Sequence, residues 1–166
     1  MTEQNLDWKN IQCLILDVDG ICTSGHLHYT EKGESLKIFN VLDGHGIKSL
    51  LSKKINVAII SGRKSKIVTN RFSELGVELI YQGQTNKLPA YNEILKKLNL
   101  TSDQVAYMGD DLPDAPLIEK SHIGITVSNA HCYIRKIADI ICKKNGGDGA
   151  VREISDLILA AHNKKE

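Results

Sequence analysis

Short apolar runs recur along the chain, separated by stretches with apolar residues at helical spacing. The first, Ile11-Gln12-Cys13-Leu14-Ile15-Leu16, has strand length and β-branched content, and it ends in Asp17-Val18-Asp19-Gly20. Val57–Ile60, Val77–Tyr81, Val105–Met108, Ile123–Val127 and Ile140–Cys142 read as further strands. The intervening pattern predicts helices over about Gly44–Lys53, Lys64–Leu75, Lys87–Leu98, Leu112–Lys120 and Tyr133–Ala138, and an amphipathic closing helix over Val151–Ala161. Asp43 is placed to N-cap the first helix, Gly76 to close the second at C′, and Pro113 to open the fourth. Leu27 and Tyr29 alternate on one side of Thr30-Glu31-Lys32-Gly33, and Leu36 and Ile38 on the other, so a β-hairpin is expected between Ile21 and Val41. Gly146-Gly147-Asp148-Gly149 reads as a flexible joint. Strands alternating with helices predict an α/β fold with a parallel sheet, one domain spanning residues 1–166.

Composition narrows the function classes. A net charge of +1 without a long basic block argues against a nucleic-acid partner. No apolar run approaches the ~20 residues that a membrane span requires. The polar segment Met1–Asn10 lacks the apolar region of a signal peptide. Cys13, Cys22, Cys132 and Cys142 form no CxxC pair, which fits reduced thiols in a cytoplasmic protein better than disulfides or zinc.

Chemistry gathers at the carboxyl ends of the expected strands, the functional edge of an open parallel sheet. Asp17 and Asp19 follow the first strand, Ser61 the second and Lys87 the third, and Asp110, Asp111 and Asp114 follow the fourth. Taken singly these are ordinary: a strand-end aspartate is commonly an N-cap, Ser-Gly a turn, a lysine a solvated charge. Their recurrence in order at one edge is what carries information.

Two carboxylates as close as Asp17 and Asp19 repel each other unless a cation or a shared proton intervenes. Mg²⁺ prefers carboxylate, carbonyl and water oxygens, and Asp17, Asp110 and the backbone carbonyl of Asp19 could supply them. Asp17 could attack phosphorus to give an aspartyl phosphate. Ser61 and Lys87 could hold the phosphoryl oxygens. Asp19 could protonate the leaving alkoxide and then deprotonate the hydrolytic water. Whether Asp111 and Asp114 bind the metal or support it stays open. A calcium loop also begins Asp-x-Asp, but here Ile21, Cys22 and His28 stand at its fifth, sixth and twelfth positions, which excludes it. A phospho-accepting receiver domain uses similar groups, yet it carries its adjacent acid pair before its acceptor, the reverse of the order here.

The motifs Asp17-Val18-Asp19-Gly20, Ser61, Lys87 and Gly109-Asp110-Asp111-Leu112-Pro113-Asp114 resemble those of the haloacid dehalogenase-like hydrolase superfamily. The resemblance implies a Rossmann-like core with the Asp17 strand central, Mg²⁺ dependence and Asp17 as nucleophile. An acid at the position of Asp19 marks phosphatases and phosphomutases within it. Phe39-Asn40-Val41, Asp43-Gly44-His45-Gly46-Ile47, Ser61-Gly62-Arg63, Tyr81-Gln82-Gly83 and Gly146-Gly147-Asp148-Gly149-Ala150-Val151-Arg152-Glu153 carry the likeness further, to a capless branch. That branch dephosphorylates an eight-carbon keto-acid sugar phosphate on the way to lipopolysaccharide. It implies a small anionic sugar phosphate as substrate and a homotetramer whose hairpins pack together and complete each other's sites. Too few residues separate the motifs for a cap of roughly 50 residues or more. Arg63 and Arg152 are the candidates for the substrate carboxylate. Leu42 departs from the pattern, standing where an arginine is expected, and leaves a nine-carbon sialic-type sugar phosphate as the rival substrate.

Overall fold

All four residues of β1 (Cys13–Leu16) are buried, as a central strand covered on both faces must be. The structure, a computed structural model, describes residues 6–163. β1 pairs in parallel with β4 (Asn56–Ser61) on one side and with β6 (Val105–Met108) on the other. β5 (Leu79–Gln82) flanks β4, while β7 (Ile123–Thr126) and β8 (Ile140–Ile141) extend the other edge. The six-stranded sheet β5-β4-β1-β6-β7-β8 is parallel throughout, so the expected fold, with the Asp17 strand central, is the one observed.

Strand alternation splits the core in two. Leu14 and Leu16 face the layer of α1 (Val41–Ser52), α2 (Lys66–Glu74) and α6 (Ala150–Asn163), through Ile47, Leu50, Phe72 and Ile154. Cys13 and Ile15 face α3 (Leu88–Leu98), α4 (Ala115–Lys120) and α5 (Ile134–Ile137), through Tyr91, Ile94, Leu117 and Ile134. Fixing β1 between two filled layers makes its carboxyl end a rigid platform.

The expected hairpin is present but short: β2 (His28–Thr30) pairs antiparallel with β3 (Gly33–Leu36). Ile21 and Cys22, read as its beginning, are buried in the turn after β1 instead. Their apolar character reflects packing under that turn, not a strand face. Leu27, Tyr29, Leu36 and Ile38 on and beside the hairpin are exposed.

Two local expectations are corrected. α1 starts before Asp43, because Asn40 caps it, its side-chain oxygen accepting from Leu42 N at 2.8 Å. Asp43 is buried within the first turn, where its Oδ1 accepts from Arg152 N at 2.9 Å and so serves the start of α6. The glycines before α6 are no free joint. A Cβ at Gly146 would stand 1.7 Å from Gly20 O, and Gly147 N donates to Ile21 O at 2.9 Å. The loop is fastened to the turn that follows β1.

Candidate active site

Asp17 leaves β1 with its backbone N–H donating to Met108 O at 3.0 Å, so the end of β6 sets its position. The chain then turns at Gly20 with φ +99°, and a Cβ there would meet Asp110 Oδ2 at 2.0 Å. Glycine is required both by the backbone angle and by the close approach of that carboxylate. Asp17, Asp110 and Asp114 each present a carboxylate oxygen, all within 4.8 Å of one another.

Lys87 Nζ enters this acid group from the start of α3, 2.7 Å from Asp17 Oδ1 and 2.6 Å from Asp114 Oδ1. Burial works against its charge, but Asp17 and Asp114 outweigh that and hold its pKa above the ordinary lysine value. Burial, reinforced by the charge of Asp114, pushes the Asp17 carboxyl up to about 7 despite Lys87. Burial and the charges of Asp17 and Asp114 push Asp110 up to about 8. One ammonium therefore leaves the group short of positive charge. Hard oxygen donors, buried and crowded, suit a divalent cation such as Mg²⁺.

Asp114 is already saturated. Its Oδ1 accepts from Lys87 and from Tyr107 Oη at 2.5 Å, and its Oδ2 from Asp110 N at 3.1 Å and Asp111 N at 3.2 Å. It braces Lys87 and the Asp110 loop and has little capacity left for a metal. Asp111 is exposed and caps the turn Leu112–Asp114 through Leu112 N. Of the three acids, Asp114 is thus the one whose carboxylate oxygens are already engaged by four donors.

A cleft of about 510 Å³ opens over this group, lined by Asp17, Asp19, Ser61, Arg63, Lys87 and Asp110 together with Gln84 and Thr85. Ser61 ends β4, and its Oγ accepts from Arg63 N at 3.4 Å. The Asp19 side chain turns away from the other acids. Lys37 Nζ pairs with its Oδ1, and Arg63 Nε lies 3.4 Å from its Oδ2. The Asp19 carboxylate is thus engaged by Lys37 and Arg63. Arg63 also donates to Tyr29 Oη at 2.6 Å.

Arg152 is not brought to this cleft. Its Nε pairs with Asp156 Oδ1 at 2.8 Å along α6. The i,i+4 spacing of those two residues was a readable signal for that pairing. Lys37, Glu34, Tyr29 and Tyr107 were missed. Lys37 alternates with the apolar Leu36 and Ile38, which reads as a solvated position, yet the structure exposes Leu36 and Ile38 and leaves the Lys37 side chain only 2 % exposed.

Known proteins resemble this chain in sequence and in fold. The profile of haloacid dehalogenase-like hydrolases matches residues 77–154. The chain is 47% identical over 156 residues to the 3-deoxy-D-manno-octulosonate 8-phosphate phosphatase of Escherichia coli strain K12, covering 94% of this chain and 83% of that protein. It superposes on the crystal structure of the phosphatase of that name from Yersinia pestis with a TM-score of 0.93 and 44% identity, covering 95% of this chain and 85% of that one. A Moraxella catarrhalis phosphatase of the same name, crystallised with a magnesium ion, a phosphate ion and the sugar acid, gives a TM-score of 0.92 and 42% identity, over 97% of this chain and 91% of that one.

Proposed function

This chain belongs to the 3-deoxy-D-manno-octulosonate 8-phosphate phosphatases of the haloacid dehalogenase-like hydrolases, and from that premise we propose which of its residues do the chemistry. The enzyme is a Mg²⁺-dependent phosphatase that hydrolyses 3-deoxy-D-manno-octulosonate 8-phosphate to the sugar acid and phosphate. The observation that carries the residue assignment is the approach of Lys87 to Asp17 beside Asp110 at the floor of an open cleft.

In this reading Asp17 is the nucleophile and forms an aspartyl phosphate. Lys87 holds Asp17 in place and faces the incoming phosphoryl oxygens, which Ser61 also binds. Asp19 gives a proton to the departing sugar oxygen and later takes one from the water that cleaves the aspartyl phosphate. Asp17, Asp110 and the Asp19 carbonyl would hold Mg²⁺, which supplies charge neutralisation for an anion approaching a phosphate. Arg63 at the cleft wall reads the substrate carboxylate. Arg152 has no part in the cleft of its own chain and could contribute only from a neighbouring subunit.

The assembly and compartment also belong to the proposal: a cytoplasmic homotetramer. The exposed side chains of Leu27, Tyr29, Leu36, Ile38, Val41 and Leu42 support it, since they put an apolar surface on the hairpin and the start of α1. Sedimentation of the purified protein as a monomer with full activity would overturn it.

The deciding experiment is phosphate release across a panel of sugar phosphates, with and without a chelator. The eight-carbon keto-acid phosphate should be preferred over neutral analogues and over the nine-carbon sialic-type ester, and chelation should abolish turnover until Mg²⁺ is restored. Asp17→Asn should remove nearly all turnover. Near-normal turnover by that variant would remove Asp17 as nucleophile.

A further inference from the structure

The carboxylate assigned to proton transfer is held from behind by a lysine that does not line the cleft. Lys37 follows β3 of the hairpin, and its side chain is 2 % exposed. Its Nζ pairs with Asp19 Oδ1 and lies 3.1 Å from Glu34 Oε1. Glu34 is itself fixed by Ser65 Oγ, at the entrance to α2, and by Arg63 Nη2 at 3.4 Å. Burial disfavours the Glu34 carboxylate, but its hydrogen bonds from Ser65, Lys37 and Arg63 outweigh that and lower its pKa, so it stays ionised beside Lys37. The hairpin is thus pinned to the core through polar contacts beneath it, while its large apolar side chains point outward.

The two oxygens of Asp19 are consequently unlike. Oδ1 is engaged by a buried ammonium that cannot swing into solvent. Oδ2 faces Arg63 Nε, which is buried and has no hydrogen-bond partner at 3.4 Å. A substrate that drew Arg63 toward its own carboxylate would leave Oδ2 free at the cleft and Oδ1 still held.

We propose that Lys37 is a positioning residue for the phosphatase reaction: it locks Asp19 through Oδ1 so that Oδ2 alone handles the proton. The inference rests on the phosphatase reading above. In the first transfer an Asp17 oxygen bonds to phosphorus as the bond from phosphorus to the sugar oxygen breaks. The departing oxygen keeps the electron pair and takes the proton from Asp19 Oδ2. In the second, water bonds to phosphorus, Asp19 Oδ2 takes the proton back, and the Asp17–phosphorus bond breaks. A freely rotating Asp19 would present either oxygen at variable distance and lose the alignment that proton transfer demands.

The test compares wild type with Lys37→Met, which keeps most of the length of the side chain and removes the charge. First-transfer rates are measured in single turnover for the sugar phosphate, whose leaving group needs a proton, and for 4-nitrophenyl phosphate, whose leaving group needs little. The expected result is a loss of roughly 10-fold or more on the sugar phosphate, within the range that general acid catalysis contributes. The loss on the aryl ester should be clearly smaller. Lys37→Arg should recover part of the loss. A double-mutant cycle with Asp19→Asn should be strongly non-additive, because Lys37 acts through Asp19. Equal losses on the two esters, or additive losses in the cycle, would overturn the proposal, since either indicates a general disturbance of the fold. Lys37→Gln, with the same expected pattern, replaces Lys37→Met if the latter does not melt cooperatively. Absence of turnover by wild type with either ester would instead defeat the phosphatase reading, so the two failures are distinguishable.

Discussion

Lys87 Nζ lies 2.7 Å from Asp17 Oδ1, across 70 residues of sequence, with both side chains almost wholly buried. Among the described residues, the pair puts the one ammonium of this acid group directly on the assigned nucleophile, while the same nitrogen holds Asp114 at 2.6 Å. Lys87→Met should therefore strand two buried carboxylates at once. Breaking a buried pair from one side typically costs about 3–5 kcal/mol, and removing a preorganised positive charge costs about 10²–10³ in kcat. Chemical denaturation in chelator and kcat measurement in Mg²⁺ check the two parts. A variant of unchanged stability and turnover would show that the cation is dispensable.

Stability of the chelated protein should fall as pH rises. The pKa values of Asp17, about 7, and Asp110, about 8, both lie above that of an unfolded aspartate near ~4. Between these limits the native state binds more protons than the unfolded one, so stability decreases with pH. The contribution of these protonated groups is complete below ~4 and disappears as pH passes through about 7 to 8. Mg²⁺ competes with those protons, so the rise in Tm that it produces should be larger at pH 8 than at pH 5.5. Melting curves at both values, with and without the metal, test this. A rise in Tm that shrinks with increasing pH would contradict the assignment of these carboxylates to the metal.

The proposed role of Arg63 at the substrate carboxylate is testable apart from the phosphate chemistry. Truncating one partner of a buried charge pair costs on the order of 2–5 kcal/mol, and the 36 % exposure of the Arg63 side chain lowers that figure through solvent screening. Arg63→Ala should thus lower kcat/KM for the eight-carbon keto-acid phosphate far more than for a neutral sugar phosphate. Its contacts with Asp19, Tyr29 and Glu34 predict a smaller loss common to both substrates. An identical loss on both would mean that Arg63 does not read the carboxylate, and attention would pass to Leu42, exposed on the first turn of α1.

Gly146→Ala tests whether the last loop holds the catalytic turn. Its Cβ would stand 1.7 Å from Gly20 O, and backbone cannot move aside as a flexible side chain can. Overpacking typically costs about 1–3 kcal/mol, occasionally more. Because Gly20 abuts Asp110 Oδ2, kcat should fall with Tm. Gly149→Ala is the comparison: φ is +95° there, but no atom lies within 4 Å of the added Cβ, so it should cost stability without the same loss of kcat. Equal kcat in the two variants would free the loop of any role at the site.

The sequence by itself determined the layered architecture and which polar groups gather at one edge of the sheet. A fully apolar strand ending in Asp17-Val18-Asp19, strands alternating with helices, and Lys87 and Asp110 after later strands are local signals, and a parallel sheet has one edge at which they must meet. Tertiary structure decided how those groups are held. Asn40 rather than Asp43 caps α1 because Asp43 is drawn to the backbone of α6, 109 residues on. Asp114 is a brace rather than a free ligand because Lys87, Tyr107 and two backbone amides converge on it. Lys37 is buried because the hairpin folds back over Asp19, 18 residues earlier in the chain. Residue type and spacing encode what a side chain can do and which face of its own element it occupies. Hydrogen bonding and burial depend on distances through space between segments far apart in sequence, and only the packed fold sets those.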